Sequence, residues 1–380
     1  MMSLSSKKEL SETIRLRYLK AKKVEKERIL DEFVAATGYH RKYAIRILKH
    51  GRKPKGVKKK GRQKIYQGEV VEGLKKIWET CDRICSKRLQ PYMPEIVSVL
   101  ERHNELSLAV EVKTLLLSMS SATIDRCLKA ARYEQSRRGL STTKPGTLLK
   151  KAIPVRTFTP WEDERAGFLE VDLVAHCGET TEGQYLNTLT ATDIATGWTE
   201  CQAVANKTQQ AVSAAIDQLH SLLPFDFLGL DSDNGSEFIN DTLLRYCQEN
   251  KITFTRSRPY RKNDQAHVEQ KNWSVVRHTI GYDRLETTEE LALLQSIYAD
   301  LRLYVNFFLP VLKLVCKEHV DGKTIKKYDR ATTPFRRVLA IPLMPVAAKA
   351  RLTNLYVHLN PVVLRASIDD KLARLWKIVR

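Results

Sequence analysis

The sequence predicts a multidomain chain: an α-helical N-terminal region with a helix-turn-helix pattern, an α/β core built on a mixed sheet, and a small C-terminal extension. Three observations carry this. Residues 1–66 hold 21 Lys and Arg against 6 Asp and Glu, and their apolar positions recur at helical spacing. From 166 to 310 the pattern changes to neighbouring strands followed by alternating strand and helix, the order of an α/β sheet. Beyond 310 the periodicity weakens. A chain of 380 residues is long enough for two or three cores.

Taken in order, residues 7–24 place Leu10, Ile14, Leu19 and Val24 on a helix with Lys and Arg between them. Lys26 to Ala36 is a second helix, with Ile29, Leu30, Phe33 and Val34 inward. Gly38 stops it. Arg41 to His50 is a third, expected to bury Ala44, Ile45 and Leu48 and to present Arg41, Lys42, Arg46 and Lys49. A short Gly turn before a basic helix is the helix-turn-helix pattern, and those four cations are the candidate DNA contacts. Gly51 to Lys64 is a basic linker with too few apolar residues to fold alone, suited to tracking a DNA backbone or to tethering.

Residues 67–132 form a second helical region. Its last helix is capped by Ser120 or Ser121 and carries Arg126 and Lys129, which fits a second helix-turn-helix unit or plain helical packing equally well. Residues 133–165 read as a linker. In the core, residues 166–310, strands are expected over 168–174, 185–192, 199–205, 225–230 and 252–256, and helices over 209–223, 242–250 and 289–309. Asp193 sits in the hairpin turn between the second and third strands. Residues 311–380 form the C-terminal extension.

Two stretches carry the chemistry. The first is Asp231-Ser232-Asp233-Asn234-Gly235-Ser236-Glu237-Phe238, where a strand empties into turn residues. The second runs from Pro259 to Trp273 through Asn263-Asp264-Gln265-Ala266-His267-Val268-Glu269, a polar loop that enters a helix at Asn263 or Asp264. Upstream, Asp172 lies within the apolar strand Leu169 to Val174, where an unpaired carboxylate is costly. Carboxylates that converge repel unless a cation neutralises them, and oxygen-only ligands favour Mg²⁺ or Mn²⁺.

Thirty-five residues separate Asp233 from Glu269. With the text around them, this resembles the D,D,35-E core of insertion-sequence transposases and retroviral-type integrases, over roughly Ala166 to Leu309. The resemblance implies a ribonuclease-H-like core in which Asp172, Asp233 and Glu269 are catalytic and hold two Mg²⁺ (or Mn²⁺) ions. It implies a DNA transposase that binds the ends of a mobile element and cuts and joins strands by two-metal displacement. It selects Asp233 over Asp231, which is left to support the site or cap a turn, and it gives Glu170 no role. Arg261, Lys262 and Lys271 flank the site and are expected on DNA phosphates. Partners would be the element ends and target DNA, with a homo-oligomer assembled on them. A nuclease of the same fold that does not join strands, or a silent DNA-binding regulator descended from a transposase, are the alternatives.

The composition agrees with a polyanionic partner: the net charge is +20. Seven scattered cysteines without C-x-x-C pairing argue against a disulfide framework or zinc ribbon and for reduced thiols. The N-terminus is charged from Lys7 without an apolar signal segment, and no stretch reaches membrane-spanning length, so a cytoplasmic, nucleoid-associated bacterial protein is expected.

Overall fold

The computed structural model describes residues 2–51, 65–134, 165–257, 265–320 and 323–379. Most of the two expected linkers, the loop carrying Arg261 and Lys262, and the proposed caps Asn263 and Asp264 lie outside the described residues. The chain divides into two compact units, Met1–Ile65 and Tyr66–Arg380.

The first unit is three helices: α1 (Leu4–Lys20), α2 (Lys23–Thr37) and α3 (Arg41–His50). Ser3 caps α1 by accepting the Ser6 amide. The chain turns extended at Ala21, so α1 ends before Val24, which falls in the first turn of α2 instead. Gly38 ends α2 at φ 68°, donating its amide to the Val34 carbonyl; the left-handed conformation is the reason for glycine there. Leu30 and Phe33 of α2 pack on Ala44 and Leu48 of α3, with Leu10 and Ile14 of α1 against them. One inward position differs from expectation. Ile45 is 36% exposed, and Ile47 is buried in its place, because positions 44, 47 and 48 complete the helical stripe that faces α2.

The second unit begins with α4 (Glu69–Thr80), α5 (Ser86–Arg102), α6 (Val110–Leu117) and α7 (Ser121–Leu128). Then come β1 (Phe168–Ala175), β2 (Asn187–Asp193), β3 (Thr199–Val204), α8 (Gln209–Leu222), β4 (Gly229–Ser232), α9 (Asp241–Glu249) and β5 (Thr253–Arg256). After these lie α10 (Ala266–Lys271), a π-helical turn (Asn272–Arg277), the short α11 (His278–Ile280) and α12 (Thr288–Phe308). The unit closes with β6 (Leu314–Val320), β7 (Lys323–Tyr328), α13 (Pro334–Leu339), α14 (Val346–His358) and α15 (Pro361–Val379).

Strands β1 to β5 form one five-stranded sheet in the order β3-β2-β1-β4-β5. The first three are antiparallel neighbours, and β4 and β5 join parallel to β1 through helical crossovers. This is the expected mixed sheet, with β1 at its centre. The turn expected at Asp193 is present: its carboxylate accepts the Gly167 amide and both the amide and hydroxyl of Thr196.

β4 begins four residues later than the apolar run suggested, at Gly229. The Gly167 carbonyl accepts the amides of both Leu228 and Gly229 and so fixes where the ladder with β1 starts. Phe227 is buried as loop, and Asp231 falls inside the strand.

Helices α4 to α7 and the C-terminal helices share one apolar core with the sheet, running from Val70 to Leu375. α12 is the central strut. Its start is a capping box between Thr287 and Glu290. Its Tyr304 hydroxyl donates to the Thr80 carbonyl of α4 at 2.6 Å, and its Phe307 stacks on Phe335 of α13, with ring centroids 4.9 Å apart. Tyr356 of α14 stacks on Phe335 at 4.7 Å, so an aromatic column ties the C-terminal segment to the core. All seven cysteines are free. Among the described residues no helix is long and apolar enough to cross a membrane.

Candidate active site

The sheet register sets the first two carboxylates. In the parallel ladder Val171 of β1 pairs with Ser232 of β4, the last pair of that ladder. The next residues along each chain are Asp172 and Asp233, so both leave the ladder at the same level on neighbouring strands, roughly 4.8 Å apart between strand axes. Asp172 continues along β1 opposite Thr190 of β2, while Asp233 opens the turn beyond β4. The Asp233 carboxylate accepts the Gly235 amide at 2.8 Å, which fixes its rotamer. Asn234 donates to the Ser257 carbonyl and accepts from Arg256, so it holds this turn to the end of β5.

Glu269 arrives on α10, and the entry of α10 is pinned to the sheet. The Glu170 carboxylate, on β1 two residues before Asp172, accepts the backbone amides of His267 and Val268 at 2.9 and 3.0 Å. Gln265, at the head of the helix, donates to the carbonyls of Val171 and Asp231 at 3.5 and 3.3 Å, bridging β1 and β4. One turn beyond Glu269, Asn272 donates its amide to Asp172 at 2.7 Å. The π-helical turn begins at that residue; such turns are rare and frequently accompany functional sites.

The electrostatics follow from this convergence. The Asp172 carboxyl is raised to about 7, first by burial and then by the negative charge of Asp233, with Glu269 adding to it. The hydrogen bonds from the Leu173 amide and from Asn272 oppose the rise. Burial also raises Asp233, against the Gly235 amide, and Glu237 adds repulsion. Excess negative potential on hard oxygen donors is the environment that a divalent cation relieves, so the donor set fits Mg²⁺ or Mn²⁺ in kind. The three carboxylates stand as neighbours and not as a closed cage: among the described residues no three His, Cys, Asp or Glu side chains lie close enough to share one ion.

The other expected site residues divide. Arg41, Lys42, Arg46 and Lys49 are all exposed on α3. Arg41 pairs with Asp31 of α2, and Arg46 lies over the Tyr43 ring at 4.8 Å. Arg261 and Lys262 lie outside the described residues. Lys271 requires a correction. It is 7% exposed and lies on the inward stripe of Val268 and Val275, where burial, aided by Arg88, pulls its ammonium down to about 7. A DNA phosphate does not reach it.

Sequence reasoning assigned no work to Glu170, Gln265 or Asn272. Asn272 was visible as the residue one turn from Glu269. The helix-capping by Glu170 spans 97 residues to His267 and leaves no local signal. Asp231, left open between two roles, is fully buried and accepts the Thr255 hydroxyl at 2.6 Å, a link between β4 and β5 behind the site.

Residues 162–262 match the integrase core domain family. The uncharacterized protein y4rM of Sinorhizobium fredii is 42% identical over 341 residues, which cover 88% of this chain and 96% of that protein. Among solved structures, the catalytic core domain of BIV integrase aligns at 19% identity over 37% of this chain and 84% of that chain, with a TM-score of 0.28. The chain belongs to the same family as y4rM, and its core is an integrase core domain of the ribonuclease-H-like DDE integrase and transposase class.

Proposed function

We propose that the protein is a DNA transposase that binds the ends of a mobile element and cuts and joins DNA strands, with Asp172, Asp233 and Glu269 as its catalytic, metal-holding carboxylates. The observation that carries the reading is the convergence on Asp172, which feels the charge of both Asp233 and Glu269 at the end of the β1–β4 ladder. Membership of the integrase core class supplies the reaction type, phosphodiester displacement.

The roles divide as follows. Asp172 and Asp233 present oxygens from the sheet, and Glu269 presents its own from α10. When bound, a pair of Mg²⁺ ions supplies Lewis-acid chemistry, lowering the pKa of the attacking water or 3′-hydroxyl and stabilising the leaving 3′-oxygen. Asn272 orients the Asp172 carboxylate, and the Gly235 amide orients that of Asp233. Glu170 and Gln265 hold α10 against the sheet, which matters because in-line displacement depends on positioning as much as on charge. The exposed cations of α3 are suited to recognising the element ends, and a homo-oligomer would bring two ends together.

The test is strand transfer in vitro with Mg²⁺, using DNA that carries the ends flanking the gene, with wild type and Glu269→Gln. Joined products from wild type alone support the reading. Nicking without joining points to a nuclease, and end binding without metal-dependent chemistry points to a regulator.

A further inference from the structure

Glu269 stands near the head of one continuous helical run, Ala266 to Ile280, made of α10, the π-helical turn and α11. The sheet holds the head through Glu170 and Gln265. It also holds the tail, where Arg277 donates to the carbonyl of Ala175, the last residue of β1, at 2.8 Å. The next residue, His278, reaches a different part of the molecule. Its Nε2 lies 3.4 Å from Oδ2 of Asp82, in the turn between α4 and α5. The other Asp82 oxygen accepts the Arg365 guanidinium of α15 at 2.6 Å, and Arg365 also pairs with Asp369 one turn on. One carboxylate thus joins three elements: the turn after α4, the tail of the Glu269 helix and α15.

The turn that presents Asp82 has an uncommon backbone. Asp82 and Arg83 both adopt φ 54°, a left-handed region that few side chains enter, aspartate and asparagine more readily than most. The Asp82 amide on the Glu79 carbonyl and the Arg83 amide on the Trp78 carbonyl, at 3.0 and 2.9 Å, hold it there. Such conformations persist where the surroundings fix them, and they gather at sites with work to do. The Asp82 side chain is only 15% exposed, so its charge depends on its cationic partners. Those partners differ in kind. Arg365 keeps its charge throughout, whereas an imidazole titrates near neutrality.

The charged groups that face His278 are Asp82 and Arg83 from the turn and Arg365 from α15. From its own helix the Trp273 ring tilts beside it, centroids 6.1 Å apart. The hydrogen bond to Asp82 raises the imidazole above its usual range, with the Asp82 charge adding, against burial and the charges of Arg365 and Arg83. Against its own burial, Asp82 is held below the usual carboxylate range by His278 and then by Arg365. The contact is therefore complete at low pH and falls away as pH rises through the raised His278 value.

We propose that Asp82 is a positioning residue: through His278 it clamps the tail of the helix that presents Glu269, and the clamp loosens as His278 loses its proton. This rests on the transposase reading, and it makes the helices on either side of the core, α4 and α15, part of how Glu269 is presented. The hold is that of a partly exposed ion pair, roughly a two- to fivefold effect.

The experiment takes full-length wild type, His278→Gln, His278→Arg and Asp82→Asn from pH 6 to pH 9. It reads hydrogen-exchange protection of residues 272–280, corrected for the intrinsic rate at each pH, and strand transfer with Mg²⁺. Asparagine tolerates the left-handed backbone at 82, and His278 is 47% exposed, so these variants should keep the fold. The pH dependence brought by the Asp172 carboxyl is common to all four proteins and cancels in ratios to wild type. At pH 6, His278→Gln and Asp82→Asn should show roughly two- to fivefold less protection and less strand transfer than wild type. The His278→Gln deficit should close by pH 9, while His278→Arg keeps its acid-side protection up to that pH. A deficit in His278→Gln that stays constant with pH overturns the dependence on the proton. Unchanged protection in both His278→Gln and Asp82→Asn overturns the clamp. Lower protection with wild-type strand transfer overturns the positioning role. Absence of strand transfer in wild type, with protection behaving as expected, removes the transposase reading and leaves the clamp standing.

Discussion

Replacing Glu170 by Gln asks how tightly the Glu269 helix must be held. The carboxylate is buried and accepts two backbone amides at the start of α10, His267 and Val268. Hydrogen bonds to a charged acceptor contribute about 1.5–3 kcal/mol each. Glutamine keeps the volume and one acceptor oxygen, but it turns a donor NH₂ toward amides that need an acceptor. We expect a local loss of about 2 kcal/mol, which corresponds to roughly 30-fold faster exchange of those amides if they open locally. Global stability should move less, because removing a buried charge also removes its desolvation cost. A displacement of about 1 Å in a catalytic group costs on the order of 100-fold. Strand transfer by Glu170→Gln should therefore fall roughly 10- to 100-fold, while the melting temperature shifts by a few degrees at most. Hydrogen exchange by mass spectrometry over residues 266–271, beside the activity assay, reads both effects. Wild-type activity with accelerated exchange would refute the positioning role; unchanged exchange would refute the importance of the two hydrogen bonds.

Asn272→Ala removes the side-chain donor to Asp172, and a single charge-assisted bond predicts about a tenfold fall in strand transfer with little change in melting. Lys271→Met should keep DNA affinity and hold or raise stability, since it replaces a buried ammonium with an apolar chain of similar length. Because the folded-state pKa of Lys271 is depressed to about 7, wild type should gain stability as pH rises above that value, and urea melts of Lys271→Met should lack that gain. His278 is raised by its hydrogen bond and charge contact with Asp82, so its contribution is complete at low pH and disappears as pH rises through the raised value; melts of His278→Gln should lose that slope on the alkaline side. Phe335→Ala opens the aromatic column between α12 and α14, and core truncations of this kind cost about 3–5 kcal/mol, measurable by urea denaturation.

Much of the molecule could be read before its structure. The three N-terminal helices announce themselves through apolar spacing and Gly38, and the mixed sheet follows from hairpins that give way to strand–helix alternation. The proposed carboxylate triad rests on flanking text and spacing that resemble a known core; as single residues, Asp172 and Glu269 carry no label. What stayed hidden depends on contacts distant in sequence. The β4 boundary is set by the carbonyl of Gly167, some sixty residues upstream of it. Lys271 looked like a surface cation, yet it shares the stripe of Val268 and Val275, and that stripe faces the sheet. The reach of Glu170 to α10 crosses most of the core. The β6–β7 ribbon gave no strand signal because its lysines blur the alternation that marks a half-buried strand.

The central claim is that Asp172, Asp233 and Glu269 are the carboxylates on which divalent-metal binding depends. Mn²⁺ binding followed by electron paramagnetic resonance tests it directly, on wild type and on Asp172→Asn, Asp233→Asn and Glu269→Gln. The account predicts binding by wild type and at least tenfold weaker binding by each variant, with the fold intact by circular dichroism. Equal Mn²⁺ binding by all four proteins would contradict it.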